Sequence, residues 1–187
     1  MRKLLIVLGV IVLLGLMAFS WYQSGYDQAI RLDEQVKSSW AQVENQLQRR
    51  NDLIPNLVSA VKGYAAQEKD IFTEVTRLRS QWGQSQTVNE KVENSNSMTS
   101  ALSRLLLVAE NYPQLKSNEN FLALQSELEG TENRIAVERM RYNNAAQALN
   151  AFQRSFWGRF FAGQTGLKEA VYFKAPEAAH EVPKVSF

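Results

Sequence analysis

The chain has no cysteine and one histidine, His180, in 187 residues. Without cysteine there is no disulfide scaffold, thiol nucleophile, thiolate zinc site or lipid-modified N-terminal cysteine. One histidine excludes a two-histidine metal motif and disfavours a Ser-His-Asp triad. It also cannot supply the two Glu-x-x-His motifs of a carboxylate di-iron bundle. Glycine (9 residues) and proline (4 residues) are scarce, which argues against a turn-rich β protein. Surplus charge is missing too. Setting aside Arg2 and Lys3, the 21 basic residues fall to 19, equal to the 19 acidic ones. A neutral body lacks the clustered Lys and Arg that phosphate contacts need, so no nucleic-acid partner is expected.

What is present is a long apolar run. Leu4–Phe19 carries no charged residue and follows Met1-Arg2-Lys3. Extended through Tyr22, a helix here is roughly 28 Å long, the thickness of a hydrocarbon core. Trp21 and Tyr22 fall where an interfacial aromatic belt belongs. The competing reading is a cleavable signal peptide, with Ala18 and Ser20 as the small residues before a cut. The anchor is preferred, because a helical phase starts at Tyr22 and continues into the body. The positive-inside rule puts the N-terminus in the cytoplasm and the body outside the bacterial inner membrane.

The phase steps alternately four and three residues from Tyr22 through Tyr26, Ala29, Asp33, Val36, Trp40, Val43, Leu47, Arg50, Ile54, Leu57, Val61, Tyr64, Glu68, Ile71, Val75 and Leu78 to Trp82. A 3.5-residue period reads as a coiled-coil-like seam. One helix over residues 22–82 would be on the order of 90 Å long. Pro55 should kink it near Leu53; alternatively Asn51 or Asp52 caps a new helix. Gly83–Thr87 reads as a polar turn. A second tract follows over residues 89–111, its stretch Asn94-Ser95-Asn96-Ser97 expected to fray, and Tyr112-Pro113 stops it. Asn118 is the expected cap of a third tract whose seam runs from Phe121 to Phe156, about 40 helical residues. Gly158 and Gly163 should end the regularity. The expected fold is all-α: an N-terminal transmembrane helix (residues 1–25), a long up-and-down antiparallel, coiled-coil-like helical bundle (26–175) and an extended tail (176–187).

No catalytic, cofactor or metal site is expected. Glu127, Glu129, Glu132 and Glu138 read as a solvated charged face. Polar residues that interrupt the seams have two readings: partial exposure with snorkelling side chains, or a buried polar layer. In the second, Arg50 or Arg139 meets Glu68, Glu110 or Glu132, with Asn56, Tyr142 and Asn143 capping or bridging; such a layer fixes register more than it adds stability. Val36, Trp40 and Val43 form one expected contact surface, and Phe156, Trp157, Phe160 and Phe161 a second. The second either closes the bundle end or meets a neighbouring protomer or the membrane. Two unlike patches favour a homo-oligomer built head to tail.

Several segments resemble signatures of the LemA family. They are Arg49-Arg50-Asn51-Asp52-Leu53-Ile54-Pro55-Asn56-Leu57-Val58, then Val61-Lys62-Gly63-Tyr64-Ala65 with Glu68, then Glu110-Asn111-Tyr112-Pro113-Gln114-Leu115-Lys116. Phe121 with Leu124-Gln125, Glu132, Arg139, Tyr142-Asn143, Asn150 and the closing Pro183, Val185 and Phe187 continue the resemblance. Tyr26-Asp27 departs from the family's Tyr-Asn. The resemblance covers residues 22–187. It implies a bacterial protein with an N-terminal membrane helix and a helical bundle, often encoded beside membrane proteins that include a zinc metalloprotease. Some relatives are tied to membrane organisation in magnetosome-forming bacteria. No agreed biochemical activity comes with it. The expected role is therefore a membrane-anchored, non-enzymatic scaffold without cofactor. The rivals are an adaptor or regulator of an envelope protease, and a bundle that binds lipid or another small molecule in a cavity along the first and third tracts. Intact mass of the membrane-purified chain checks the anchor: residues 1–20 should be retained, and their loss would identify a signal peptide.

Overall fold

The computed structural model describes residues 2–174. The expected extended tail at 176–187, with His180, Pro183, Val185 and Phe187, lies outside them. Six helices occur among the described residues: α1 (Arg2–Lys62), α2 (Lys69–Gln84), α3 (Val88–Glu110), α4 (Pro113–Lys116), α5 (Glu119–Arg154) and α6 (Phe156–Thr165). No strand occurs among the described residues. The protein is all-α.

Helix α1 runs through Pro55 without a break, so no new helix is capped at Asn51 or Asp52. Proline removes one donor and crowds the carbonyl four residues back, a cost of about 3 kcal/mol. Ile54, Leu57 and Val61 are buried on either side of it. At about 1.5–3 kcal/mol per buried aliphatic side chain, their packing outweighs that cost. The single helix expected over residues 22–82 is nevertheless wrong. It stops at Lys62, and α2 starts at Lys69. Gly63 is a poor helix former; beyond it Ala65 turns inward, its N–H bonded to Val61 O at 2.9 Å, and is fully buried. The seam crosses this break because α2 is itself amphipathic, burying Phe72, Val75, Leu78 and Trp82. An unbroken phase thus did not require an unbroken helix.

Thr87 opens α3 with a capping box: its hydroxyl accepts from Glu90 N at 3.2 Å, and the Glu90 carboxylate accepts from Thr87 N at 3.1 Å. The Thr87 N–H, and after it the Gln86 N–H, hold the Glu90 carboxyl below its ordinary pKa. The stretch expected to fray is regular helix, and Asn94 and Ser95 are buried. Asn94 donates to Leu78 O at 3.0 Å, tying α3 to α2. Pro113 begins α4, since Tyr112 before it is extended. Asn118 caps α5, its side-chain oxygen accepting from Phe121 N at 3.0 Å.

The third tract also divides. At Ser155 the backbone turns extended, and the hydroxyl accepts from Gly158 N at 3.0 Å, capping α6. Gly158 and Gly163, expected to end the regularity, lie inside α6; Gly166 ends it with φ +67°, a left-handed conformation suited to glycine.

The described residues group into two compact units. One comprises residues 2–40 and 141–170, the other 41–140 and 171–174. In the second, α1, α2, α3, α4 and α5 share one core that includes Ile54, Leu57, Val75, Leu78, Met98, Leu105, Leu115, Phe121 and Leu128. In the first, Ala29, Tyr142, Ala145, Ala146, Leu149, Phe161 and Ala162 are buried, whereas the side chains of Leu4–Phe19 are exposed.

At Gly158 a Cβ would overlap the Phe152 carbonyl, which is backbone and cannot yield. Gly158→Ala should cost about 1–3 kcal/mol. Gly163 has nothing within 4 Å, so Gly163→Ala should be neutral or stabilising by about 0.5–1 kcal/mol. Thermal melts of both variants check the contrast.

Candidate functional site

The second unit is organised around a buried arginine. Arg50 of α1 is 2% exposed. Its Nη1 donates to Thr99 Oγ1 at 2.9 Å and to Glu132 Oε1 at 3.0 Å. Its Nη2 donates to Ser95 Oγ at 3.1 Å and Ser95 O at 3.3 Å. Arg139 joins from α5, its Nη2 donating to Ser95 Oγ at 2.6 Å, and its guanidinium lies 4.7 Å from the centre of the Phe173 ring. Helical spacing explains the convergence. Ser95 and Thr99 are one turn apart on α3, and Glu132 and Arg139 are two turns apart on α5, so each pair shares a face.

Burial pushes the Arg50 guanidinium down from its ordinary pKa, and the Glu132 carboxylate opposes this. Burial, and then the charge of Arg50, push Arg139 down to about 10, again against Glu132. Both arginines are charged at neutral pH. Arg139 Nε is buried without an acceptor among the described residues. Chemically, the arrangement is a charge-assisted lock on the register of three helices.

Of the residues expected in a polar layer, Arg50, Glu132 and Arg139 meet here. Glu68 does not: it is half-buried in the turn that ends at α2, because the helix stops at Lys62. Glu110 is exposed at the end of α3, and Asn56 is exposed on α1. Tyr142 and Asn143 belong to the first unit. Tyr142 is buried edge-on to Trp40 at 5.5 Å, which pushes its phenol pKa up. Ser95 and Thr99 were missed. The signal lay in stepping back from Leu102 through Met98, which lands on Ser95 in phase with the buried side of α3.

A groove of about 360 Å³ lies between α3 and α5, lined by Leu102, Leu106 and Leu128 together with Thr99, Glu129 and Glu132. Its walls are the second and third tracts, not the first and third.

The first unit carries the aromatic residues. Trp21 of α1 meets Trp157 edge to face at 4.8 Å and Phe161 at 5.5 Å. Tyr22 meets Phe161 at 5.7 Å and Phe160 at 6.5 Å. Gly25 makes this approach possible, since a Cβ there would overlap the Phe161 ring. Phe161 is therefore buried and is not part of a contact surface, whereas Phe156 is 83%, Trp157 57% and Phe160 47% exposed. The other expected surface is largely consumed as well. Val43 is fully buried, Trp40 is half-buried against Tyr142, and Val36 is half-buried. Beyond α6 the chain is pinned along α5: Asn150 exchanges two 2.8 Å bonds with the backbone of Ala170, and Arg154 pairs with Glu169 at 2.5 Å.

The sequence model of the LemA family matches residues 39–187. Magnetosome protein MamQ 2 of Paramagnetospirillum magneticum is 26% identical, over 82% of this chain and 66% of the relative. Magnetosome protein MamQ of Magnetospirillum gryphiswaldense is 24% identical, over 84% and 65%. Protein LemA of Metamycoplasma hominis is 22% identical, over 94% and 80%. The chain thus spans about two thirds of the length of the magnetosome relatives.

Removing the carboxylate should strand the buried charge. Glu132→Ala should destabilise the protein by about 2–3 kcal/mol, below the full figure for a buried pair because Glu132 is partly solvated. Arg50→Met combined with Glu132→Leu should recover most of the loss, since apolar packing replaces such pairs well. Urea midpoints of the three proteins check this.

Proposed function

Because the chain belongs to the LemA family, we propose that it is a membrane-anchored, non-enzymatic scaffold of the bacterial cell envelope that assembles with further copies and recruits partner proteins. The observation that carries this reading is the construction of α1. Its first part is exposed and long and apolar enough to cross a membrane by length and composition. The same helix continues without a break into the body, where Ile54, Leu57 and Val61 enter a packed core.

In this reading the N-terminus is cytoplasmic, with Arg2 and Lys3 held on that side, and the body is an up-and-down antiparallel bundle outside the inner membrane. The buried polar groups serve structure: Arg50 directs its donors to Ser95, Thr99 and Glu132 rather than to an open cleft. No cofactor is needed for this. Self-association rests on confinement to a membrane, which raises effective concentration and gives all copies one orientation. It also draws on apolar side chains left exposed on the body, Leu107, Leu122 and Met140. Relatives named as magnetosome proteins fit a role in organising a compartment.

Two measurements on the full chain test the reading. A single Cys introduced as Gln84→Cys should react with an impermeant reagent in intact cells; reaction only after lysis would reverse the orientation. Native mass in mild detergent should give more than one copy per particle. A monomer across a wide concentration range would remove self-assembly.

A further inference from the structure

We infer that α6 is an interfacial membrane helix, which seats Phe156, Trp157 and Phe160 in the headgroup and upper acyl region of the bilayer that α1 crosses. The inference rests on the anchor reading of α1 and adds a second, independent point of lipid contact. It commits to lipid rather than protein as the occupant of these rings.

The first argument is depth. At 1.5 Å per residue, Trp21 lies about 26 Å along α1 from Leu4, near the far boundary of a hydrocarbon layer about 30 Å thick. Trp157 touches Trp21 at 4.8 Å, and Phe160 touches Tyr22 at 6.5 Å. Helix α6 is therefore held at the level where the apolar span ends. Lipid that packs around the span at that level meets α6 as well.

The second argument is the division of α6 into two faces. Gly158, Phe161 and Ala162 are buried against the chain. Phe156, Phe160 and Trp157 lie within about 100° of one another around the helix, at positions i, i+4 and i+1. All three are exposed. Three large rings left in water on a ten-residue helix are an unpaid desolvation term; placed at the interface, they remove that apolar area from water. Tryptophan is the side chain that most suits this boundary, its ring body apolar and its N–H able to reach polar headgroups. Arg159, exposed on the same helix, has a stem that lies along apolar surface and a guanidinium that reaches phosphate.

The third argument is rigidity. Ser155 caps the start of α6, Gly25 lets Phe161 dock, and the Asn150–Ala170 bonds fix the chain beyond it. The rings are thus presented on a fixed element, so little ordering opposes their insertion.

The absence of cysteine makes a test by single nitroxide labels direct. Full-length chains carrying Phe156→Cys, Leu13→Cys or Gln84→Cys are labelled and reconstituted in phosphatidylethanolamine–phosphatidylglycerol vesicles. Collision with oxygen, which partitions into lipid, is compared with collision with a water-soluble nickel chelate. The oxygen-to-nickel ratio at Phe156 should be several-fold above that at Gln84 and below that at Leu13. A Phe156 label as accessible to nickel as the Gln84 label, with Leu13 still in lipid, would overturn the seating of α6 and leave the anchor standing. A Phe156 label shielded from both reagents would place protein, such as a second copy, over these rings and would equally overturn it. A Leu13 label that behaves like Gln84 would remove the anchor, and this inference with it.

Discussion

A guanidinium taken out of water must find its acceptors inside the protein, and Arg50 finds them on two other helices. Three of its four bonds go to Ser95 and Thr99 on α3, and the fourth goes to Glu132 on α5. A one-residue slip of either helix would swing these acceptors by about 100° and leave a buried charge unsatisfied. Aliphatic neighbours such as Leu57, Leu105 and Leu128 tolerate small shifts, because dispersion has no direction. The arginine does not. Its contribution is the choice of one register among several that would bury similar apolar area.

Much of the architecture was legible in the sequence because it depends on local rules. Helical content, the apolar run, the stop at Tyr112-Pro113 and the cap at Asn118 each follow from residue type and spacing within one turn. The two helix breaks that were not foreseen share a cause. A 3.5-residue phase reports which side of the chain meets the core, and it carries no information on whether the backbone between two matched positions stays helical. Gly63 and Ser155 each break a helix while the buried stripe resumes beyond them. The arginine cluster was legible only from its charged members. Glu132 was among the partners named for Arg50, whereas Ser95 and Thr99 were hidden in a stretch whose composition resembles a loop. Their hydroxyls acquire a role only when a third helix brings a cation to them.

The two units divide the chemistry. In the one built on residues 41–140, polarity is turned inward and aromatic side chains such as Phe72 and Phe121 are buried. In the one built on residues 2–40 and 141–170, large apolar side chains face outward, from Leu4 to Phe19 and again at Phe156, Trp157 and Phe160. Contiguous exposed apolar patches of this kind are uncommon on monomeric soluble proteins. One unit thus buries charge and hydrogen-bonding groups, and the other leaves large apolar side chains uncovered.

The side chain of Asn150 has a consequence of its own. Its amide gives and takes one bond each with Ala170, as a neighbouring strand would. The chain that leaves α5 at Arg154 therefore returns to it, and residues 151–169 form a closed excursion held at its ends by the Asn150 amide, by Gln153 donating to Lys168 O at 3.0 Å and by the Arg154–Glu169 pair. The entropy of closing a loop grows only with the logarithm of its length. Changing the length of this excursion outside α6 should thus cost little entropy, provided its held ends and the seating of Phe161 at Gly25 are kept. The connections on either side of the segment that carries the exposed rings can therefore vary in length while the arginine-locked helices stay unchanged.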